Sequence, residues 1–311
     1  MGGLLASLLA GRLGSAAPAQ AAGARGAADG AIAAIEHVAP DVLTGAQLAP
    51  SRGRVLPADP TVPLRVTGSR GALDVTVPFA EQARSSSVGD TGMRVYENGN
   101  GSSTVPVRKA DGSVQITTVI DETQAPASYA YDIGVPDGAS LRKQKGGGVA
   151  VIGPEGEFLG GAAAPWAKAS DGSAVPTRYE IDGNKLVQEV DHRGLPESAY
   201  PVVADPWLGQ DLLYQPYVTD HQPEGYKVNV TPTPWGRANL LPFTHPAHVL
   251  ELKTQLGRDY HKVTPTVEEQ FKCHVAFNFG PGAEEFNMES WLIWMRWDAQ
   301  RFVRCNPPPQ R

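Results

Sequence analysis

Short β-prone runs separated by turn signals dominate the middle of the chain, between positions 62 and 204. Val, Ile, Thr and Tyr recur in these runs, and Asp-Gly pairs or a Pro-Glu-Gly break interrupt them. This spacing is typical of an all-β domain, because each run is long enough for one strand and each break supplies a tight turn. We therefore predict a β-rich domain over residues 61–204.

Two kinds of strand are predicted within this domain. Residues 113–120 and 148–153 have nearly continuous apolar runs, which indicate strands buried on both faces. Residues 177–190 form a hairpin pattern around Asp182, Gly183 and Asn184, which tolerate positive φ. Neither face of this hairpin is strongly apolar, so we expect it at a sheet edge.

The first 60 residues have a different composition. An apolar run from Leu4 to Ala10, followed by small residues at Ala19 and Ala21, predicts a secretory signal peptide over residues 1–22. The alternative is an Ala-rich disordered leader. Residues 23–60 are rich in Ala, Gly and Pro and are predicted to form a linker with a short helix in DGAIAAIEHVAP.

Localisation and partners follow from composition. No other apolar run reaches the roughly 20 residues that span a bilayer, so we predict a secreted protein that is soluble after signal cleavage. The net charge is -6 and no basic stripe is present, which disfavours a nucleic-acid partner. No motif indicates a cofactor, and none is expected.

The chemically distinctive residues lie near the C-terminus. Five of the six Trp, five of the seven His and both Cys occur from Pro206 onward. Such a shift predicts a second domain over residues 205–311. We expect an α+β protein overall, with the β-rich domain followed by a small α+β domain stapled by a disulfide.

Cys273 and Cys305 are the only cysteines of the chain. In a secreted domain an even pair predicts a disulfide, with a free reactive thiol and metal ligation as alternatives. Residues 271–279 alternate as a strand would, with Cys273 among phenylalanines on one face and His274 on the other. On that geometry Cys273 and His274 cannot act together as nucleophile and base.

The histidines are candidates for metal binding or catalysis. A starting proline, an apolar stripe and a stop glycine predict a helix of about eleven residues. His245 and His248 are three apart there, which makes them weak metal candidates, because the H-E-x-x-H pattern is missing. Histidines with a purely structural role near a helix start are the alternative. The residues that predict the helix are Pro246, Val249, Leu252, Leu256 and Gly257.

A hydrolytic site assembled from separate segments is a further hypothesis. His274 or His248 would be the base, and Asp259, Glu268 or Glu269 would be its acidic partner. No G-x-S-x-G elbow or paired-carboxylate pattern supports it. The alternative is that the EEQ run at 268–270 has no function and is a solvent-exposed segment that leads into the predicted strand.

The run WLIWMRW at 291–297 fits a strand or a helix, and the following DAQRFVRC favours the helix. Most of this aromatic area is expected in the core. The alternative is a binding surface with aromatic and arginine anchors, for which Trp235, Arg237, Trp294 and Arg296 are the candidates.

Two resemblances place these motifs in context. DPWLGQDLL, VTPTPWGR, EEQFKCHV and CNPP, between positions 205 and 309, resemble a domain family of unknown function from secreted actinobacterial proteins. PWAKASDGSAVPTRYEIDGNKLVQEV and YPVVADP resemble a β-rich region that precedes varied C-terminal domains in such proteins. FNMES at 286–290 replaces the family's Trp-Asn-Leu-Glu, and Pro308 replaces a final glycine. The resemblance implies secretion by a high-GC Gram-positive bacterium and implies no activity.

Two functional hypotheses follow. The first is a non-enzymatic module that is associated with the envelope and binds a cell-envelope component or another protein. The alternative is a secreted effector or antibacterial toxin with a hydrolytic C-terminal domain, because a shared N-terminal module ahead of a distinct C-terminal unit is typical of such effectors.

Overall fold

The computed structural model describes residues 17–46, 56–88, 93–240, 242–277 and 285–310. Within these residues the chain has four α-helices and eighteen strands. The helices are α1 (Ala17–Val38), α2 (Pro234–Ala238), α3 (His245–Leu256) and α4 (Pro265–Phe277). The strands are β1 (Leu64–Gly68), β2 (Gly71–Thr76), β3 (Arg84–Val88), β4 (Met93–Glu97), β5 (Ser102–Arg108), β6 (Val114–Ile120), β7 (Ser128–Gly134), β8 (Ser140–Lys143), β9 (Val149–Ile152), β10 (Phe158–Ala162), β11 (Trp166–Lys168), β12 (Thr177–Asp182), β13 (Lys185–Val190), β14 (Val202–Asp205), β15 (Trp207–Gly209), β16 (Tyr217–His221), β17 (Gly225–Val230) and β18 (Phe286–Glu289).

The described strands pair antiparallel in three sheets. The first has the order β1-β2-β7-β13-β12. The second has the order β3-β4-β5-β6-β15-β10-β9-β8, with β14 joining β6 to β11. The first two sheets share one core, in which Val66, Tyr131 and Leu186 from the first meet Ile116 and Val151 from the second. They therefore pack face to face as a sandwich.

Helix α1 covers the outer face of the second sheet. Ile32 and Ile35 pack with Val95 and Val105 in a separate apolar cluster. Since β5 and β6 lie between two layers, every residue in both strands is buried. The short helix predicted in DGAIAAIEHVAP is confirmed but belongs to a longer one. Residues 17–22, predicted as the end of the signal peptide, form its first turns, and residues 1–16 lie outside the described part.

The strand predictions for the β-rich part are confirmed. The runs at 113–120 and 148–153 contain β6 and β9, and both strands are largely buried. Residues 177–190 form the hairpin β12–β13, with Gly183 at φ 57° in its turn. Strand β12 ends the first sheet, so the hairpin lies at an edge as its pattern indicated.

The C-terminal part is a small α+β unit. Its sheet, β16-β17-β18, packs against α3 and α4 through Val228, Leu252, Phe271, Phe286 and Met288. The predicted helix at 246–256 is confirmed as α3, which ends at Gly257 with φ 56°. Over the described residues, no helix is both long and apolar enough to cross a membrane.

The disulfide prediction is confirmed. Cys273 in α4 is bonded to Cys305, with 5.5 Å between the two Cα atoms. The bond joins α4 to the segment that follows the 3-10 helix Gln300–Val303. Both cysteines are buried, at 0% and 1% exposure.

The strand predicted over 271–279 is wrong, because residues 265–277 form α4. Val267, Phe271 and Val275 recur every four residues on its buried face, and Pro265 supplies a helix start. Phe271, Cys273 and Val275 alternate as in a strand, but Phe271 and Val275 are also four residues apart, which is the spacing of one helix face. Cys273 and His274 are therefore about 100° apart around a helix rather than on opposite faces of a strand. Residues 278 and 279 lie outside the described part.

Residues 290–299 form neither the strand nor the helix predicted for the tryptophan-rich run. They are irregular, between β18 and the four-residue 3-10 helix. Tertiary contacts set their path: Glu269 Oε2 accepts a hydrogen bond from the backbone N–H of Trp297 at 2.7 Å, and Leu292 pairs with Pro309 in an isolated bridge. Neither contact could be inferred from periodicity.

Candidate functional site

An apolar cavity of about 250 Å³ opens where the β9–β10 hairpin meets helices α2 and α3. We call it the junction groove. A pre-formed, mostly apolar cavity with few polar groups is the usual form of a small-ligand site. The side chains that define the groove are Val149, Ile152 and Phe158 from the β-rich part and Trp235, Ala247 and Leu250 from the C-terminal part.

Trp235 forms the inner wall of the groove. It is 2% exposed and stacks on Phe158, with ring centroids 6.0 Å apart and an interplanar angle of 16°. Its indole Nε1 donates to the carbonyl oxygen of Trp207 at 3.1 Å. Gly209 lies against the indole, where a Cβ would come within 2.4 Å of the ring. The ring is therefore fixed on several sides before any ligand arrives.

The backbone around Trp235 is tied to the β-rich part. Thr233 caps α2, its hydroxyl accepting from the N–H of Gly236 at 2.8 Å. Asp111, in the turn between β5 and β6, accepts the N–H of Trp235 through Oδ2 at 3.0 Å. Helix α2 thus sits on the sandwich with its first N–H groups satisfied by side chains from both parts.

Helix α3 provides the other wall. Val249 and Leu252 face the C-terminal core, at 8% and 0% exposure. Ala247 and Leu250 lie on a different face and line the groove, and Leu250 remains 46% exposed. An aliphatic side chain left open at the rim of an apolar cavity marks a surface that a ligand could cover.

A buried ionic cluster fixes α3 to the sandwich. Glu251 is 0% exposed and accepts the N–H of Leu213 at 2.9 Å and the guanidinium of Arg70 at 3.3 Å. Asp211 accepts both the N–H and the hydroxyl of Ser69. Burial raises the pKa of Glu251 to about 7, although Arg70 and the backbone N–H groups favour the ionised carboxylate. These contacts fix helix α3, which forms one wall of the groove, against the sandwich, which forms the other.

The proposed binding residues lie in two places. Trp235 lines the groove and Arg237 is half-buried on the same helix, α2. Trp294 is 59% exposed, and Arg296 forms a surface ion pair with Asp298. Neither Trp294 nor Arg296 lines the groove. The four residues therefore do not form one surface with Trp235 at its centre.

The candidate catalytic and metal residues are held by packing. His245 meets Trp297 edge-on at 4.8 Å, His248 meets Phe271 at 6.3 Å, and His274 stacks on Phe286 at 5.1 Å. The carboxylate of Glu269 accepts from Lys272 and from the backbone of Trp297. His261 is exposed and contacts Arg258.

Burial governs the protonation of these histidines. Desolvation lowers the pKa of His245, His248 and His274 to about 4 in each case. They are therefore neutral near pH 7. Across the described ranges, no group of three or more His, Cys, Asp or Glu side chains is arranged to hold a metal ion.

Acid should weaken the fold through His248. Its Nδ1 donates to the carbonyl oxygen of Thr244 at 3.1 Å, and its buried Nε2 has no partner among the described residues. Because the native pKa lies below the unfolded value of 6.5, the contribution of His248 is complete above pH 6.5 and is lost as pH falls toward 4. We expect His248→Gln to reduce the slope of the unfolding free energy against pH over this range, by up to about 1.4 kcal/mol per pH unit.

The measurement is urea unfolding of both proteins between pH 4 and 7. His261→Gln is the matched control, since His261 is exposed. The control should keep the pH dependence of the parent protein. Equal slopes for the parent and His248→Gln would contradict the account.

The sequence analysis missed most of the groove. Phe158 and Trp235 are far apart in the sequence, and the exposure of Leu250 depends on how α3 meets the sandwich. The run GGAAAPW at 160–166 was the available signal, because small residues at the end of a strand leave room for a cavity. Gly161 and Ala162 pair with β9 there, and Ala162 and Ala164 line the groove.

Comparisons with known proteins agree with the resemblance seen in the motifs. No curated protein matches the chain, and no solved structure matches it. Residues 218–308 match the family described as "Protein of unknown function (DUF2599)". The match covers β17, β18, α2, α3, α4 and the disulfide. Residues 218–308 are therefore the part of the chain that is similar to this family, whose description assigns no activity.

Proposed function

We propose that the protein is a non-catalytic binding module that holds an aliphatic chain in the junction groove. The observation that carries this proposal is the groove itself: an open apolar cavity of about 250 Å³ walled by the β-rich part on one side and the C-terminal part on the other. Polar side chains such as Gln144 and Asn239 also line it, which is the balance found in sites for apolar ligands.

The shape of the lining favours an aliphatic chain over an aromatic ligand. Small residues, including Ala150, Ala162 and Ala247, alternate with the larger Ile152 and Leu250 along the walls. Such a lining gives many methyl contacts and few flat faces for stacking, since the buried Trp235 is already stacked on Phe158. Each methylene transferred from water into the groove would contribute about 0.8 kcal/mol.

Location supports the same proposal. A disulfide persists in oxidising compartments, which favours a secreted protein. Outside a cell, aliphatic chains are presented by envelope lipids and lipidated molecules. An envelope-associated module with an apolar groove therefore has a partner of suitable chemistry close at hand.

The test is whether octanol binds to the protein saturably, as measured by titration calorimetry. The parent protein should bind one molecule of octanol. Leu250→Asp places a carboxylate at the rim and removes an apolar wall, so it should weaken binding by at least about tenfold. Val62→Asp is the matched control, because Val62 is 50% exposed and does not line the groove.

Two results would contradict the proposal. The first is the absence of saturable binding to the parent protein. The second is an equal loss of affinity in Leu250→Asp and Val62→Asp, which would mean that octanol adsorbs to apolar surface in general. Far-ultraviolet circular dichroism of each variant would confirm that the substitutions leave the fold intact.

A further inference from the structure

A second cavity, of about 360 Å³, lies directly beside the junction groove. Ala164 and Ala238 line both cavities, so one wall separates them. We call this second cavity the polar pocket. Its lining differs from that of the groove because it carries ionisable side chains beside its alanines and Val42. Its polar and aromatic lining residues are Asp41, Gln115, Trp166, Lys168, Asp205 and Trp207.

Asp205 lies at the base of the polar pocket. It is 1% exposed, and its Oδ2 accepts a hydrogen bond from Gln115 Nε2 at 2.5 Å. Its Oδ1 is buried and has no hydrogen-bond partner of normal distance and angle within the described residues. Burial raises the pKa of Asp205 to about 7, although Gln115 and the N–H groups of Trp166 favour the ionised carboxylate. Asp205 therefore places a buried carboxyl group at the base of the pocket.

Two indole rings and an ammonium group complete the pocket. Trp166 and Trp207 both line it, and the Lys168 ammonium lies 5.5 Å from the centre of the Trp166 ring. Trp207 is fixed, because its Nε1 donates to the Ser113 hydroxyl at 2.9 Å. Indole faces pack against the C–H faces of sugar rings, while carboxylate, amide and ammonium groups bond to hydroxyls.

The charges around the pocket are balanced. Lys168 and the buried Lys109, whose ammonium lies 5.6 Å from the centre of the Trp207 ring, oppose Asp41 and Asp205. Lys109 already donates to the carbonyl oxygen of Thr44 at 2.9 Å. A balanced site has little preference for a strongly charged group. It suits a neutral group that offers several hydroxyls.

The two cavities are coupled through their tryptophans. The Nε1 of Trp235, in the groove, donates to the backbone carbonyl of Trp207, whose side chain lines the polar pocket. An aliphatic chain in the groove would therefore emerge beside a pocket built for hydroxyls. This juxtaposition matches the two ends of one amphiphile.

We infer that the protein binds a glycosylated aliphatic molecule, with the chain in the junction groove and a neutral sugar in the polar pocket. This inference rests on the proposed function, since the aliphatic chain of the ligand is what occupies the junction groove. It adds the chemical class of the ligand and assigns hydrogen bonding of the sugar to Asp205 and Lys168.

The experiment compares three probes by calorimetry: octanol, methyl β-D-glucopyranoside, and octyl β-D-glucopyranoside below its micellar concentration. Octyl glucoside should bind at least about tenfold more tightly than octanol. Lys168→Ala should remove most of that difference and leave octanol binding unchanged. Lys185→Ala is the matched control, because Lys185 is exposed at the β12–β13 turn.

Asp205→Asn provides a second variant that preserves the shape of the side chain. It should also reduce the advantage of octyl glucoside over octanol, because an amide oxygen is a weaker acceptor than a carboxylate. Its thermal unfolding would be recorded beside the binding data, and Lys168→Ala decides the outcome if Asp205→Asn fails to fold.

The possible failures are distinguishable. If octanol and octyl glucoside bind with equal affinity, the sugar pocket is wrong and the apolar groove stands. If Lys168→Ala leaves the advantage of octyl glucoside intact, the sugar does not lie in the polar pocket. If octanol does not bind while methyl glucoside does, the proposed function fails. If neither binds, both ideas are overturned.

Discussion

Replacing Cys273 with alanine is expected to lower the free energy of unfolding by about 3 to 4 kcal/mol. The disulfide joins residues 32 positions apart, and without it the unfolded chain regains the freedom of that loop. Both cysteines are buried, so the substitution also leaves a small cavity beside α4. Urea unfolding of the variant and the parent protein would measure the difference.

Matched variants separate the loss of the bond from other effects. Cys305→Ala and the double variant delete the same bond, so all three should lose similar stability rather than additive amounts. Reduction of the parent protein should reproduce the loss. A change below about 1 kcal/mol in every case would show that the cross-link does not stabilise the C-terminal part.

Replacing Gly236 with alanine is expected to destabilise the protein by about 3 kcal/mol. A Cβ at this position would lie 1.9 Å from the carbonyl oxygen of Leu212. That oxygen cannot move away easily, because it accepts the N–H of Thr233 at 3.0 Å. Helix α2 would therefore have to shift as a unit and would carry Trp235 with it. Thermal unfolding measures the loss, and octanol binding should weaken in parallel.

Gly30→Ala is the control for this substitution. Gly30 is exposed in α1, and a Cβ there would meet nothing within 4 Å. Because alanine favours a helix more than glycine does, Gly30→Ala should stabilise the fold by up to about 1 kcal/mol. If Gly236→Ala were as well tolerated as Gly30→Ala, the close approach of α2 to Leu212 would be wrong.

Local sequence patterns correctly predicted the elements whose apolar residues fit the period of a strand or of a helix, but not of both. The hairpin at 177–190, the buried strands around Ile116 and Val151 and helix α3 all carry turn residues, continuous apolar runs or caps that specify one structure. The disulfide followed from cysteine count and compartment. These features depend on neighbouring residues or on simple pairing, so the sequence alone specifies them.

The failures occurred where two periods fit the same residues or where distant segments decide the structure. Phe271 and Val275 fit a strand, in which alternate residues share a face, and also a helix, in which residues four apart share a face. Packing of Phe271 on Phe286 accompanies the helix. The tryptophan-rich run follows contacts with Glu269 and Pro309. These are tertiary effects that override local propensity.

The candidate site was harder to predict than the fold. Trp235 was selected for its aromatic character, and it does line the groove. Its partner Phe158 and the exposed Leu250 become neighbours only when α3 docks on the sandwich through Glu251 and Arg70. The polar pocket combines residues from the 3-10 helix Pro40–Leu43, four strands and helix α2, so no local motif indicates it.

The most direct test of the account is an intermolecular nuclear Overhauser experiment on the full chain with octyl β-D-glucopyranoside. Cross-peaks are predicted from the octyl chain to the methyl groups of Ala247 and Leu250, and from the sugar protons to the rings of Trp166 and Trp207. Cross-peaks from the octyl chain only to exposed apolar residues elsewhere, such as Phe302 at 78% exposure, would contradict the central claim that the junction groove is the binding site.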